Sequence, residues 1–118
     1  MPTKYKQGDL LYLIDPIKIP KGEALPHPVL IISSNTSNSY ENFYTGVMLS
    51  ATKDTDKFSF PVNNQMFESN LEKPECNFRT YIVVSFKESE VNRLLNRIKP
   101  VFLKALMEHI KNYTFCVD

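Results

Sequence analysis

The chain has 118 residues, 42% of them hydrophobic and 23% charged, with a formal net charge of +1. That apolar share supplies a core and excludes a wholly disordered chain, while the length fits one domain spanning 1–118. The near-neutral balance excludes strong long-range attraction to nucleic acid, though not a local basic patch. The longest apolar run, 10–14, is far below the roughly 20 residues a membrane-spanning helix requires. The opening Met-Pro-Thr-Lys-Tyr-Lys-Gln-Gly holds no apolar h-region, so no secretory signal is expected and the expected location is cytoplasmic.

Segments 9–14, 29–33, 44–50, 58–62 and 79–86 read as strands. Val29, Leu30, Ile31 and Ile32 form a continuous apolar run, as in a strand buried on both faces. Phe58, Ser59 and Phe60 alternate, as in a half-buried one. Pro16, Pro20, Pro26 and Pro28 make the stretch between the first two strands a loop, since proline fixes φ and donates no hydrogen bond. The Asn/Ser tract 33–42 reads as turn-forming, and 53–57 as a charged loop or hairpin tip. Further on the period changes. Val91, Leu94, Leu95 and Ile98 fall at helical spacing, and Leu103, Leu106, Met107 and Ile110 repeat it. Pro100 suits the first position of the second helix. The expected fold is mainly β (α+β): a small, curved antiparallel sheet or barrel of about five strands, followed by two short helices.

Chemistry-bearing motifs are few. Gly8, Gly22 and Gly46 are the only glycines, so no glycine-rich phosphate loop can be built. Cys76 and Cys116 lack zinc-ligand spacing and read as unpaired thiols in a reducing compartment. His27 and His109 are too isolated for a metal site. His109, beside Ile110 on the last helix, reads as a helix-surface or capping residue.

The order of segments carries more. Gly8-Asp9-Leu10-Leu11-Tyr12-Leu13 opens the first strand, and Lys21-Gly22-Glu23 lies in the following loop. His27-Pro28-Val29-Leu30-Ile31-Ile32-Ser33 comes next, then Val47-Met48-Leu49-Ser50-Ala51-Thr52, then Lys99-Pro100-Val101-Phe102-Leu103. This collinear series resembles the MazF/PemK toxins of bacterial type II toxin–antitoxin modules, over nearly the whole chain. The resemblance implies an SH3-like barrel with appended helices and a homodimer. It also implies an endoribonuclease that cuts single-stranded RNA without metal or other cofactor, and a cognate antitoxin protein that blocks the RNA groove.

Two positions of the family's site are substituted here. An arginine before the strand-two proline is usual in the family, and His27 stands there; a threonine after strand three is usual, and Ser50 stands there, with Thr52 as the alternative hydroxyl. His27 titrates near neutrality and suits proton transfer or phosphate contact, but it lacks the arginine fork; its plain reading is a residue ordering the start of a strand. Lys18, Lys21 and Arg79 are candidate phosphate contacts, Arg79 reading equally as a strand-edge charge. Glu23 matches an acidic loop residue of the family or is a solvated charge. Tyr40 and Phe43, in the polar tract, are candidate base-stacking residues, whereas Phe58 and Phe60 read as core. The competing functions are a catalytically inactive module of the same fold that binds RNA or a peptide, and an interaction protein unrelated to RNA.

Overall fold

The computed structural model describes residues 3–19, 24–51, 56–73 and 75–118. Six strands form one antiparallel sheet: β1 (Asp9–Leu13), β2 (Pro28–Ile31), β3 (Phe43–Ser50), β4 (Ser59–Val62), β5 (Cys76–Lys87) and β6 (Val91–Arg97), in the order β4-β5-β3-β2-β1-β6. Two α-helices accompany them, α1 (Asn35–Glu41) and α2 (Pro100–His109).

The mainly β reading holds, with six strands instead of five and an open sheet instead of a closed barrel. The gap between the outer strands β4 and β6 is spanned by the segment after β4. Phe67 bridges Ile98, and the Glu68 and Lys99 amides donate to Arg97 and Met66 carbonyls at 2.9 and 2.8 Å. β5 bends sharply: Val47 pairs with Val83 but Met48 with Arg79, leaving Thr80, Tyr81 and Ile82 as an irregularity that curls the sheet.

The helix expected over 91–98 is a strand. β6 pairs with β1 through two register shifts, at Leu95 and at Asn92, each inserting a residue without an opposite number. Each bulge offsets the apolar side chains by one place, so their spacing mimics a helix although the backbone is extended. The polar tract also differs from expectation, because its turn-forming residues sit at the ends of α1. The Ser34 hydroxyl accepts from the Ser37 amide, and Asn42 caps the C-terminus at φ 53°.

β2 is buried on both faces, with Val29, Leu30 and Ile31 fully enclosed. On one face Leu10, Leu30, Val47, Leu49 and Phe78 pack under Leu106 of α2 and the π-helical turn that follows it; on the other, Leu11, Val29, Ile31, Tyr44, Met48 and Phe86 form a second cluster. Gly46 permits this close packing, since a Cβ there would lie 2.4 Å from Val29 Cγ1 and 2.6 Å from the Leu30 carbonyl oxygen. Phe60 joins the first cluster from its edge, and Phe58 is half-buried against Tyr81. His109 is no surface cap: its ring packs between Phe60 and Tyr113, and its Nε2 is shielded. Both cysteines are free, Cys76 buried and Cys116 exposed.

Candidate active site

Pro28 opens β2 and restricts the residue before it to extended backbone, which holds His27 at the mouth of the strand. The His27 ring borders a cleft of about 540 Å³ whose floor includes Leu10 and Leu49. Its Nε2 is shielded from solvent and has no hydrogen-bond partner among the described residues. Burial holds the imidazole pKa below its ordinary value, with a hydrogen bond to the Leu49 backbone acting in the opposite direction. His27 is therefore a neutral imidazole at pH 7, one nitrogen a donor and the other an acceptor.

Ser50 is buried and pairs with Asn77. Its neighbours Leu49 and Ala51 line the cleft, so strand alternation turns Ser50 toward the opposite face, beside Met48. One ladder step along, Arg79 lies opposite both Met48 and Ser59. Its Nη1 donates to Ser59 Oγ at 3.1 Å and stands 3.8 Å from the Asp56 carboxylate, with the side chain only 12% exposed. Arg79 is thus not a strand-edge surface charge. β5 begins three residues earlier than the apolar run 79–86 indicates, which moves Arg79 to the strand interior. His27, Ser50 and Arg79 gather at one end of the sheet.

The other candidates are placed differently. Lys18 is exposed and borders a separate shallow depression with Ile19, Tyr81 and Val83. Tyr40 and Phe43 are exposed at the opposite end of β3. At about 3.3 Å per residue, Phe43 lies roughly 20 Å from Ser50. Thr52, Lys21 and Glu23, with most of the charged loop 53–57, lie outside the described residues.

The structure adds residues that sequence reasoning passed over. Tyr12 follows Leu10 on the same face of β1 and reaches the cleft, where its hydroxyl donates to Glu72 Oε2 at 3.3 Å. The Arg93 guanidinium lies over the Tyr12 ring, 5.4 Å from its centroid, and Lys73 completes the rim. Two cations thus face one carboxylate around a concave surface. Reading 91–98 as a helix hid Arg93, since a helix surface would have scattered it from Tyr12; the alternation of Leu10 and Tyr12 was the available signal for this wall. Cys76 also borders the cleft, but burial pushes its thiol up to about 11, so it remains protonated and unreactive near neutrality.

No helix among the described residues is long and apolar enough to cross a membrane. No curated protein sequence matches the chain. Among solved structures, an endoribonuclease from mycobacterial species superposes with a TM-score of 0.67 at 14% identity, covering 90% of this chain and 86% of that one. An endoribonuclease in complex with its cognate antitoxin, also mycobacterial, gives 0.62 at 12%, covering 90% and 88%. MazF from Deinococcus radiodurans gives 0.64 at 12%, covering 90% and 92%. At these identities the likeness establishes the fold. The sequence pattern that defines the PemK-like, MazF-like toxins matches residues 6–114, and the chain belongs to this family of type II toxin–antitoxin toxins.

Proposed function

We propose that the chain is an endoribonuclease toxin that cuts single-stranded RNA, including messenger RNA, in the cytoplasm. It acts as a homodimer of one-domain chains and is held in check by a cognate antitoxin. Family membership supports the reaction class. The observation that carries the site assignment is His27, standing where the family usually has arginine, with an enclosed ring nitrogen that no described residue satisfies. Unsatisfied buried polar atoms are costly and rare, and a ligand that completes this one offsets that cost.

The chemistry follows from the residue types. The 2′-hydroxyl must lose a proton as its oxygen attacks the adjacent phosphorus, and the leaving 5′-oxygen must gain one. A neutral imidazole accepts the first proton, and the resulting imidazolium then returns a proton or faces the charged phosphate. Ser50 is the candidate hydroxyl donor on the Arg79 side of β3, opposite the cleft face, with Thr52 as its alternative. Arg79 brings positive charge to the same end of the sheet, and Arg93 and Lys73 hold flanking phosphates. This route gives a 2′,3′-cyclic phosphate on one product and a 5′-hydroxyl on the other, with no metal or cofactor required. Incubating purified protein with mixed single-stranded RNA in EDTA tests the reading. Fragments with cyclic phosphate ends support it; intact RNA across varied sequences overturns it.

A second reading rests on the same residue. Neutral His27 does not supply the permanent forked charge of arginine, which favours a module that binds RNA or a peptide without cutting. In that case wild type and His27→Ala bind equally and neither cleaves.

A further inference from the structure

Glu72 is out of place in a cleft meant only to hold phosphates. Lys73 and Arg93 attract the backbone, whereas a carboxylate between them opposes it and weakens binding unless it has a partner of its own. Yet Glu72 is oriented: the Tyr12 hydroxyl donates to its Oε2 at 3.3 Å, and Tyr12 is itself held under the Arg93 guanidinium. Among the described residues Glu72 forms no ion pair with a lysine or arginine. An ionised carboxylate only accepts hydrogen bonds, so this arrangement presents a fixed pair of acceptor oxygens to whatever enters the cleft.

The bases differ in how well they meet such a pair. Single-stranded RNA exposes its Watson–Crick edges to protein. Guanine alone carries two adjacent donors there, N1–H and the N2 amino group. Cytosine and adenine each place an acceptor beside their amino donor, and uracil flanks its one N–H with two carbonyls. A carboxylate therefore takes guanine with two parallel hydrogen bonds and confronts every other base with at least one acceptor. The cleft volume of about 540 Å³ falls in the range of small-molecule sites, room for a base turned out of the strand.

We infer that Glu72 is a specificity-determining residue that selects guanine beside the cleavage site, with Tyr12 as its positioning residue. The inference rests on the RNA-cleaving reading above and names its sequence preference. It is tested in two arms. In the first, wild type, Glu72→Gln and Tyr12→Phe digest a randomised RNA and the cut ends are sequenced. In the second, binding is measured to a 2′-O-methylated oligonucleotide of the preferred sequence, which cannot be cut, and to its counterpart with inosine for guanine, which lacks only the N2 amino group.

The expected result is guanine enrichment at one fixed position relative to the cut and about tenfold weaker binding of the inosine oligonucleotide, as for the loss of a hydrogen bond to a charged group. Glu72→Gln replaces one acceptor with a donor and removes both effects, and Tyr12→Phe reduces the enrichment partially. Glu72 is exposed on a loop, so the variant folds. Cleavage without guanine enrichment overturns the inference while leaving the endoribonuclease reading intact, as does discrimination that survives Glu72→Gln. A wild type that neither cuts nor binds any RNA overturns both.

Discussion

The two ends of β3 differ in what their polar groups do. At the Phe43 end they are spent on one another. The Tyr44 hydroxyl donates to Glu88 at 3.0 Å, and its ring stacks on Phe86 at 5.5 Å. Asn38, fully enclosed, exchanges hydrogen bonds with Ser33, whose hydroxyl in turn accepts from the Thr45 amide at 2.9 Å. At the Ser50 end His27 keeps a shielded nitrogen without a described partner, and two cations rim a cleft. Closed networks stabilise a fold, whereas polar groups stopped short of a partner await a ligand. On the reading proposed above, the Phe43 end serves stability and the Ser50 end chemistry.

Replacing His27 breaks the comparison most sharply. His27→Ala is expected to lower RNA cleavage by about 100-fold to 10,000-fold, the usual worth of a general acid–base group, with intact binding measured by fluorescence anisotropy. Retained cleavage removes His27 from the site. His27→Arg, which installs the family's usual residue, separates charge from proton transfer. If His27 moves protons, wild-type cleavage declines as pH falls through the depressed imidazole pKa, and the arginine variant loses that dependence. The stability sign agrees. Because the folded pKa lies below the unfolded value of about 6.5, the unfolded chain binds more protons in the window between the two. The histidine's contribution is complete above about 6.5 and is lost as the pH falls through the folded value. Thermal melts from pH 5 to 7.5 check it, and His27→Ala should flatten that component.

Asn38→Ala tests the other end. It removes the Asn38 amide's hydrogen bond to the half-buried Ser33 carbonyl and leaves the Ser33 hydroxyl only its bonds to Thr45, a cost of about 1–3 kcal/mol in unfolding free energy, while cleavage by the folded fraction stays at wild-type level. Urea titration with parallel cleavage assays checks this; a specific loss of activity at unchanged stability contradicts the division of labour. Arg93→Ala is milder. Losing one phosphate contact should weaken RNA binding and reduce the salt slope by about 1. An unchanged slope removes Arg93 from the RNA path.

Much of this organisation was readable from the residues, and the failures have local causes. The run from Val29 to Ile31 announced a doubly buried strand because burial on both faces erases alternation. Pro100 marked the start of α2 because its ring fits the first turn. β6 was hidden because two bulges re-spaced its apolar residues into a helical pattern. α1 was hidden because its caps, Ser34 and Asn42, are the residues that also make turns. The proposed site was only partly legible. His27 and Ser50 were nominated by motif order, yet the wall made by Tyr12, Glu72 and Arg93 joins three distant segments: the pairing of β1 with β6 sets Arg93 beside Tyr12, and hydrogen bonds of Ser69 with Asn96 bring the Glu72 segment alongside β6.

The smallest expected effect bears on where the RNA path ends. Tyr40 is 86% exposed on α1, a position that suits a base-stacking platform by composition. A stacked aromatic is worth about 1–3 kcal/mol per base, so its removal would weaken binding at least several-fold. Tyr40 sits one helix turn before Phe43, at the end of β3 opposite Ser50. A short RNA centred on the cleft, spanning two or three nucleotides on either side, falls short of it. Tyr40→Ala should therefore change cleavage of such an RNA by less than twofold. If a longer RNA loses affinity in this variant while the short one does not, the binding surface continues along β3 to the end assigned here to stability. That outcome would join the two ends into one groove, with the internal network of Ser33, Asn38 and Thr45 serving as its rigid support.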